Sequence, residues 1–185
     1  MAGHSRWAQI KHKKALSDAK RGQLFSKIVR EIIVAAREGG GSAETNPRLR
    51  AALERGREAG LPKENAVRAL ERATGKGEEA TLQEFLYEVI GPGGAHILID
   101  GITDNNNRTL TEIRQIVSRH NAKLVPAGSL VWNFEKTWTK DGKNYQPKTS
   151  LELSNEDQKK IMPLLDELID HSDVQEVYTN LTPDI

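Results

Sequence analysis

The stretch FLYEVIGPGGAHILI, residues 85–99, sets two short apolar runs on either side of Gly91-Pro92-Gly93-Gly94. Runs of this length, rich in β-branched and aromatic residues and separated by Gly and Pro, predict a β-hairpin. Further along, Leu110, Ile113, Ile116 and Val117 share one face of a helix from about Asn107 to His120. Ser129 to Phe134 reads as a strand, as does the alternation at Thr149–Leu153. Ser154 caps a helix that carries Ile161, Leu164, Leu165, Leu168 and Ile169, and Val174 to Tyr178 is the last strand. The order ββαββαβ predicts an α+β domain of the split-βαβ, ferredoxin-like type: an antiparallel sheet with two helices on one face. Thr137–Lys148 is polar with an Asp141-Gly142 turn and reads as a loop between the two sheet halves.

Before this stretch the apolar period is helical. Phe25, Ile28, Val29, Ile32, Ile33 and Ala36 form one stripe, stopped by Gly39-Gly40-Gly41. Asn46-Pro47 reads as an N-cap with proline at the first helical position, opening a helix that buries Leu49, Ala52 and Leu53 and stops near Gly60. Pro62 opens a third helix with Val67, Leu70 and Ala73 inward, ended by Gly75 and Gly77. Three short helices with brief loops predict a small bundle. The expected division is a helical domain over 1–77 and an α+β domain over 78–185.

The chain has 185 residues, with 27 Lys and Arg against 26 Asp and Glu. That near-neutral sum conceals a split. Residues 1–76 carry 17 basic and 8 acidic side chains, a charge of +9, whereas residues 77–185 carry 10 and 18, a charge of −8. Segregation of this kind points to a polyanion-binding half joined to a half with another task. The densest signal is Arg6, Lys11, Lys13, Lys14, Lys20, Arg21, Lys27 and Arg30, with Trp7 and His12 among them. Cations placed together gain by displacing the counterions condensed on a phosphate backbone, and Trp7 could stack on an unpaired base. The alternative is a solvated basic tail. Arg48, Arg50, Arg55, Arg57, Arg68 and Arg72 lie close to acids at helical spacing, and half or more read as ion pairs.

The composition also excludes function classes. With no cysteine there is no disulfide, thiolate zinc site or iron–sulfur centre. No apolar stretch reaches the roughly 20 residues of a membrane span, and MAGHSRWAQIKHKK lacks a signal peptide's apolar core. A cytoplasmic protein is expected. GPGGAH (91–96) and GKG (75–77) complete no phosphate-loop pattern and read as tight turns. Asp100, Asp104, Asn105, Asn106 and Asn107 lack the glycine and distal glutamate of a calcium loop, so TDNNNRT reads as a strand end, turn and helix cap. The histidines (4, 12, 96, 120, 171) form no metal-ligand spacing, and no serine sits in a nucleophile elbow. The expectation is a protein without catalytic residues, metal, cofactor or small-molecule substrate.

The run MAGHSRWAQIKHKKALSDAKRGQLFSKIVREIIVAA (1–36) closely resembles the opening of the YebC family. REGGGSAETNPRLRAAL (37–53), LPKENAVRAL (61–70), GPGGAHILIDGITDNNNRT (91–109), GSLVWNFE (128–135) and LLDELIDHSDVQEVYTN (164–180) resemble the same family. The resemblance implies an N-terminal three-helix domain followed by α+β structure, no enzymatic activity and no established cofactor. It implies a probable DNA-binding transcriptional regulator. Alternatively, it implies a ribosome-associated translation factor or activator that binds rRNA or tRNA and relieves stalling on proline-rich stretches. The family's basic N-terminal region matches Arg6, Lys11, Lys13, Lys14, Lys20 and Arg21.

Three departures from the family stand out. The domain that typical members insert after the strand corresponding to GSLVWNFE is expected to be absent near 137–148, which makes this a shortened member. LVPAG (124–128) replaces a more glycine-containing connection. Pro163 lies inside the last helix, where loss of a backbone hydrogen bond predicts a kink or a late start near Met162.

Overall fold

A computed structural model describes residues 18–75, 82–139 and 142–182. These fall into two compact units, one of the N-terminal helices with Gln83 and the described part of 138–143, the other of 84–137 with 144–182, which supplies most of every strand. The expected boundary after Gly77 lies outside the described residues.

The helical unit holds α1 (Asp18–Gly39), α2 (Pro47–Ala59) and α3 (Lys63–Thr74). Ile28, Ile32, Ile33 and Ala36 of α1 meet Leu49 and Ala52 of α2 and Ala69 of α3 in one core. As predicted, Asn46 caps α2, its side chain accepting from the Leu49 amide at 3.0 Å. Gly60 ends α2 in the left-handed conformation (φ 79°), where a side chain would be strained. One expectation fails in α3. Val67 points outward, 44% exposed, and the inward face is Ala66, Ala69, Leu70 and Ala73. The spacing 66, 69, 70, 73 is itself a helical stripe built from smaller side chains, so close packing rather than residue size sets the buried face.

The α+β unit holds β1 (Gln83–Ile90), β2 (His96–Thr103), α4 (Asn106–Arg119), β3 (Lys123–Val125), β4 (Phe134–Thr139), β5 (Gly142–Pro147), α5 (Asn155–Ile169) and β6 (Val174–Thr179). Its main sheet has the order β3-β1-β2-β6, with β1–β3 and β2–β6 antiparallel. A connection as short as 91–95 makes β1 and β2 a hairpin, since parallel neighbours need a long crossover. β2 and β3 are joined through α4 with β1 between them, which is a split βαβ unit. Phe85, Val89, Ile97, Ile99, Val174 and Val177 on one sheet face pack against Ile113, Ile116 and Val117 of α4 and Ile161, Leu164, Leu165 and Leu168 of α5.

The opposite face is covered as well. Leu98 and Tyr178 pack with Leu130, Phe134 and Tyr145, and so β2 is buried along almost its whole length. Residues 137–148 are therefore not a loop: β4 and β5 form a two-stranded sheet, and of the expected Asp141-Gly142 turn Gly142 is the first residue of β5 while Asp141 lies outside the described residues. Two further expectations are corrected. Val131–Asn133 is a 3₁₀ turn leading into β4, not a strand. Thr149–Leu153 makes a single bridge, Leu151 to Leu181, although Leu153 is buried as its alternation implied. The late helix start does not occur either. Ser154 caps α5, accepting from the Asp157 amide at 3.2 Å, and the helix runs unbroken across Pro163. Pro163 and Lys159, four residues back, are both exposed, so the carbonyl left without its helical donor lies on the water side.

Candidate nucleic-acid interface

Of the predicted contact residues, Arg6, Trp7, Lys11, His12, Lys13 and Lys14 lie outside the described residues. The structure places Lys20, Arg21, Lys27 and Arg30 along the first half of α1. Lys20 and Arg21 are exposed and Arg30 is half-buried. Lys27 is only 8% exposed, so as a phosphate contact it is the weakest of the four. It sits one residue before Ile28, a member of the helical core.

The other basic residues of this unit divide by role. Arg48 donates from Nε to Glu31 at 2.9 Å and from Nη1 to Glu38 at 2.5 Å, tying α2 to α1. Arg50 donates to the carbonyls of Ala43 and Glu44, both at 2.8 Å, which holds the α1–α2 connection. Arg57 pairs with Glu54 at 3.1 Å within α2 in an exposed (i, i+3) pair of small energetic weight. Arg48 and Arg50 are thus structural. The exposed cations at the start of α1 continue the basic run that begins at Arg6.

In the α+β unit, polar groups converge where β2 ends. Asn105 caps α4, accepting from the Arg108 amide at 3.1 Å, as TDNNNRT predicted. Fully buried Asp173 receives three donors on one oxygen: Thr109 Oγ1 at 2.6 Å, Arg108 Nη2 at 2.7 Å and Thr103 Oγ1 at 3.1 Å. A buried carboxylate needs such pairing, and the Arg108 guanidinium is held above its ordinary pKa by these bonds to Asp173 and then Asp104. Nearby, burial and then the Asp173 charge push the Tyr87 hydroxyl above its usual range, and it donates to Asn106 Oδ1 at 2.6 Å.

Glu112, His171 and Asp173 bring three potential ligand atoms within 4.8 Å of one another. The hydrogen bonds argue for a relay instead of a metal set. His171 Nδ1 accepts from the Asp173 amide at 3.2 Å, which leaves Nε2 as the protonated nitrogen facing Glu112 Oε2 at 2.9 Å. No ring lone pair then points at the carboxylates. Sequence spacing gave no hint of this group, because its members come from α4 and the connection before β6.

A turn that the motif reading did not single out is also strongly built. Glu88, buried in β1, accepts from the amides of Gly128 (2.5 Å), Val131 (3.0 Å) and Leu130. Asn133, fully buried, accepts from the amide and hydroxyl of Thr149 and donates to His96 Nδ1 at 3.2 Å. Between these anchors Trp132 stands 60% exposed, its indole N–H donating to the Ser129 carbonyl at 2.7 Å. The visible signal was a tryptophan three residues after a Gly-Ser pair in a chain with 5% aromatic residues.

No described helix is long and apolar enough to cross a membrane. The TACO1/YebC protein N-terminal domain matches residues 5–76, and the TACO1/YebC second and third domain matches 82–139 and 137–181, two segments that adjoin in the β4–β5 region. A probable transcriptional regulatory protein of Pseudothermotoga lettingae is 38% identical over 240 aligned positions, covering 100% of this chain and 95% of the relative. Because this chain has 185 residues, at least 55 of those positions have no counterpart in it. A probable transcriptional regulatory protein of Thermotoga petrophila is 51% identical over 136 positions, 74% of this chain and 54% of its own length. The solved structure of the conserved hypothetical protein Aq1575 from Aquifex aeolicus is similar with a TM-score of 0.85 at 31% identity, covering 96% of this chain and 97% of that one. Domain matches along both halves, full-length relatives and a shared fold make this chain a member of the TACO1/YebC family, shorter than the relatives it aligns with.

Proposed function

We propose that this chain is a non-enzymatic cytoplasmic regulator that acts by binding nucleic acid, with duplex DNA at transcription control regions as its target. The observation that carries the reading is the segregation of charge, +9 over residues 1–76 against −8 over the remainder. Within the basic half, Arg48 is part-buried against α1, and Lys20 and Arg21 are solvent-exposed at the start of α1. The name carried by relatives in Pseudothermotoga lettingae and Thermotoga maritima, probable transcriptional regulatory protein, supports a regulatory role. Contacts to phosphate position a protein on a polyanion without reading its sequence, so a charged helix start serves duplex DNA and ribosomal RNA alike.

The deciding experiment compares promoter-fragment binding with ribosome co-sedimentation across a salt series. Binding to promoter fragments well above random duplex, with no ribosome retention at low salt, is the expected result. Equal affinity for every duplex together with strong ribosome retention overturns the transcriptional reading in favour of a translation factor on rRNA or tRNA.

A further inference from the structure

We infer that the α+β unit carries a second nucleic-acid site: a stacking platform for one unpaired base on Trp132, flanked by His96 and Lys148. The inference rests on the nucleic-acid reading above and adds the form of the ligand, a single-stranded segment. An indole left 60% exposed forgoes burial that a core position would give it. Its surroundings nevertheless hold it in one orientation. Its N–H is bonded to Ser129 O, and the preceding turn is held by the buried Glu88 carboxylate. The residue after it, Asn133, is locked by Thr149 and His96. A fixed and exposed aromatic face is what stacking requires, since little side-chain freedom remains to be lost on binding.

The polar groups beside it are donors. Lys148 Nζ is bonded to Trp132 O at 2.9 Å, which holds an exposed ammonium at the indole's own residue. The His96 ring lies 6.1 Å from the Trp132 ring, edge to face. Asn133 uses its oxygen for Thr149, so its amide nitrogen donates to His96 Nδ1, leaving His96 Nε2 as an N–H. Indole face, imidazole N–H and ammonium together match a nucleotide, whose ring stacks and whose ring nitrogens, carbonyls and phosphate accept. In a duplex the base faces are already stacked on each other, so the platform selects single strands.

The test uses the full chain and two fluorescein-labelled probes, a ten-nucleotide oligo(A) RNA and a duplex of the same length. Trp132→Ala is expected to weaken oligo(A) binding roughly ten-fold, the scale of one lost stack, with duplex affinity unchanged. Trp132→Phe, which keeps an aromatic face, is expected to restore most of the loss. Lys148→Gln keeps a donor for Trp132 O but removes a charge, and should lower the salt slope on oligo(A) by about 0.7. Four results overturn the inference. In the first, Trp132→Ala binds oligo(A) like the parent chain. In the second, it loses both probes equally. In the third, Trp132→Phe fails to rescue. In the fourth, Trp132→Ala abolishes a concentration-dependent self-association, which would make this face a contact between copies. The two readings fail separately: a parent chain that binds the duplex but not oligo(A) removes the platform and keeps the proposed function. Absence of binding to both probes removes both.

Discussion

Asn46 shows how one side chain can join two helices. Its oxygen caps α2 at the Leu49 amide, and its amide nitrogen donates to Ala35 O at 2.7 Å and Gly40 O at 2.9 Å, at the end of α1. The group is buried, so each of these bonds replaces water that cannot reach it. Gly39 leaves the room this requires, because a Cβ there would stand 2.6 Å from the Asn46 amide nitrogen. Asn46→Asp keeps the cap but turns two donors into an acceptor facing two carbonyls, whereas Asn46→Ala loses the cap and the side-chain donor to both carbonyls. Both should lower stability, by about 1–3 kcal/mol, from the lost cap or the lost buried side-chain hydrogen bonds. Denaturant midpoints measure it, and an unchanged midpoint in both variants would show that the bonds contribute nothing net. Gly101 illustrates a different constraint. A Cβ there would lie 2.2 Å from Phe85 Cζ and 2.4 Å from Asp173 O, at the bulge where β2 passes the buried carboxylate network.

At the scale of elements, α5 tolerates a residue that local rules exclude. Proline in a helix interior costs about 3 kcal/mol through its missing bond and its clash with the preceding turn. In α5 the break faces water, and Ile161, Leu164, Leu165, Leu168 and Ile169 hold the inner face to the sheet. Pro163→Ala restores an amide to the Lys159 carbonyl and removes the ring's clash, so it should raise stability by about 1–2 kcal/mol, less than the full proline penalty. Thermal unfolding checks the sign, and a lower melting temperature would mean that proline's restriction of the unfolded chain outweighs the lost bond. Elements with strong periodicity were legible in the sequence, namely the β1–β2 hairpin, α4, α5, α1 and α2, because burial of one face leaves its period in the residues. Elements set by distant partners were not. The turn at 128–133 is organised by Glu88, some forty residues earlier, and only three residues of β3 pair with β1. At 149–153 the alternation reported side-chain burial correctly, yet the backbone finds one bridge. For the candidate site, charge segregation could be read directly. The burial of Lys27 could not, since burial is set by tertiary neighbours and not by local sequence.

For the whole molecule, the proposed nucleic-acid reading predicts a separation between cations that hold the fold and cations that meet a polyanion. Removing a phosphate contact reduces the salt slope of duplex binding by about 0.9, whereas removing an internal ion pair acts on the folded state. Lys20→Gln/Arg21→Gln should therefore flatten the slope by up to about 2 while leaving the melting temperature within a degree or two, because both residues are exposed and exposed polar contacts add little to stability. Arg48→Met should do the reverse. It leaves Glu31, which is largely buried, without its 2.9 Å partner and should cost about 1–3 kcal/mol of stability with little change in slope. Lys27→Met is predicted to follow Arg48, its side chain lying at 8% exposure among the α1 packing residues. Salt titrations of duplex binding and thermal melts on the same four proteins place each variant in one class or the other. If Lys27→Met flattens the slope as much as the Lys20/Arg21 variant does, the contact surface extends along α1 beyond its exposed start. If no variant changes the slope, phosphate contact belongs to residues outside α1, and the basic run from Arg6 to Lys14 would have to carry it alone.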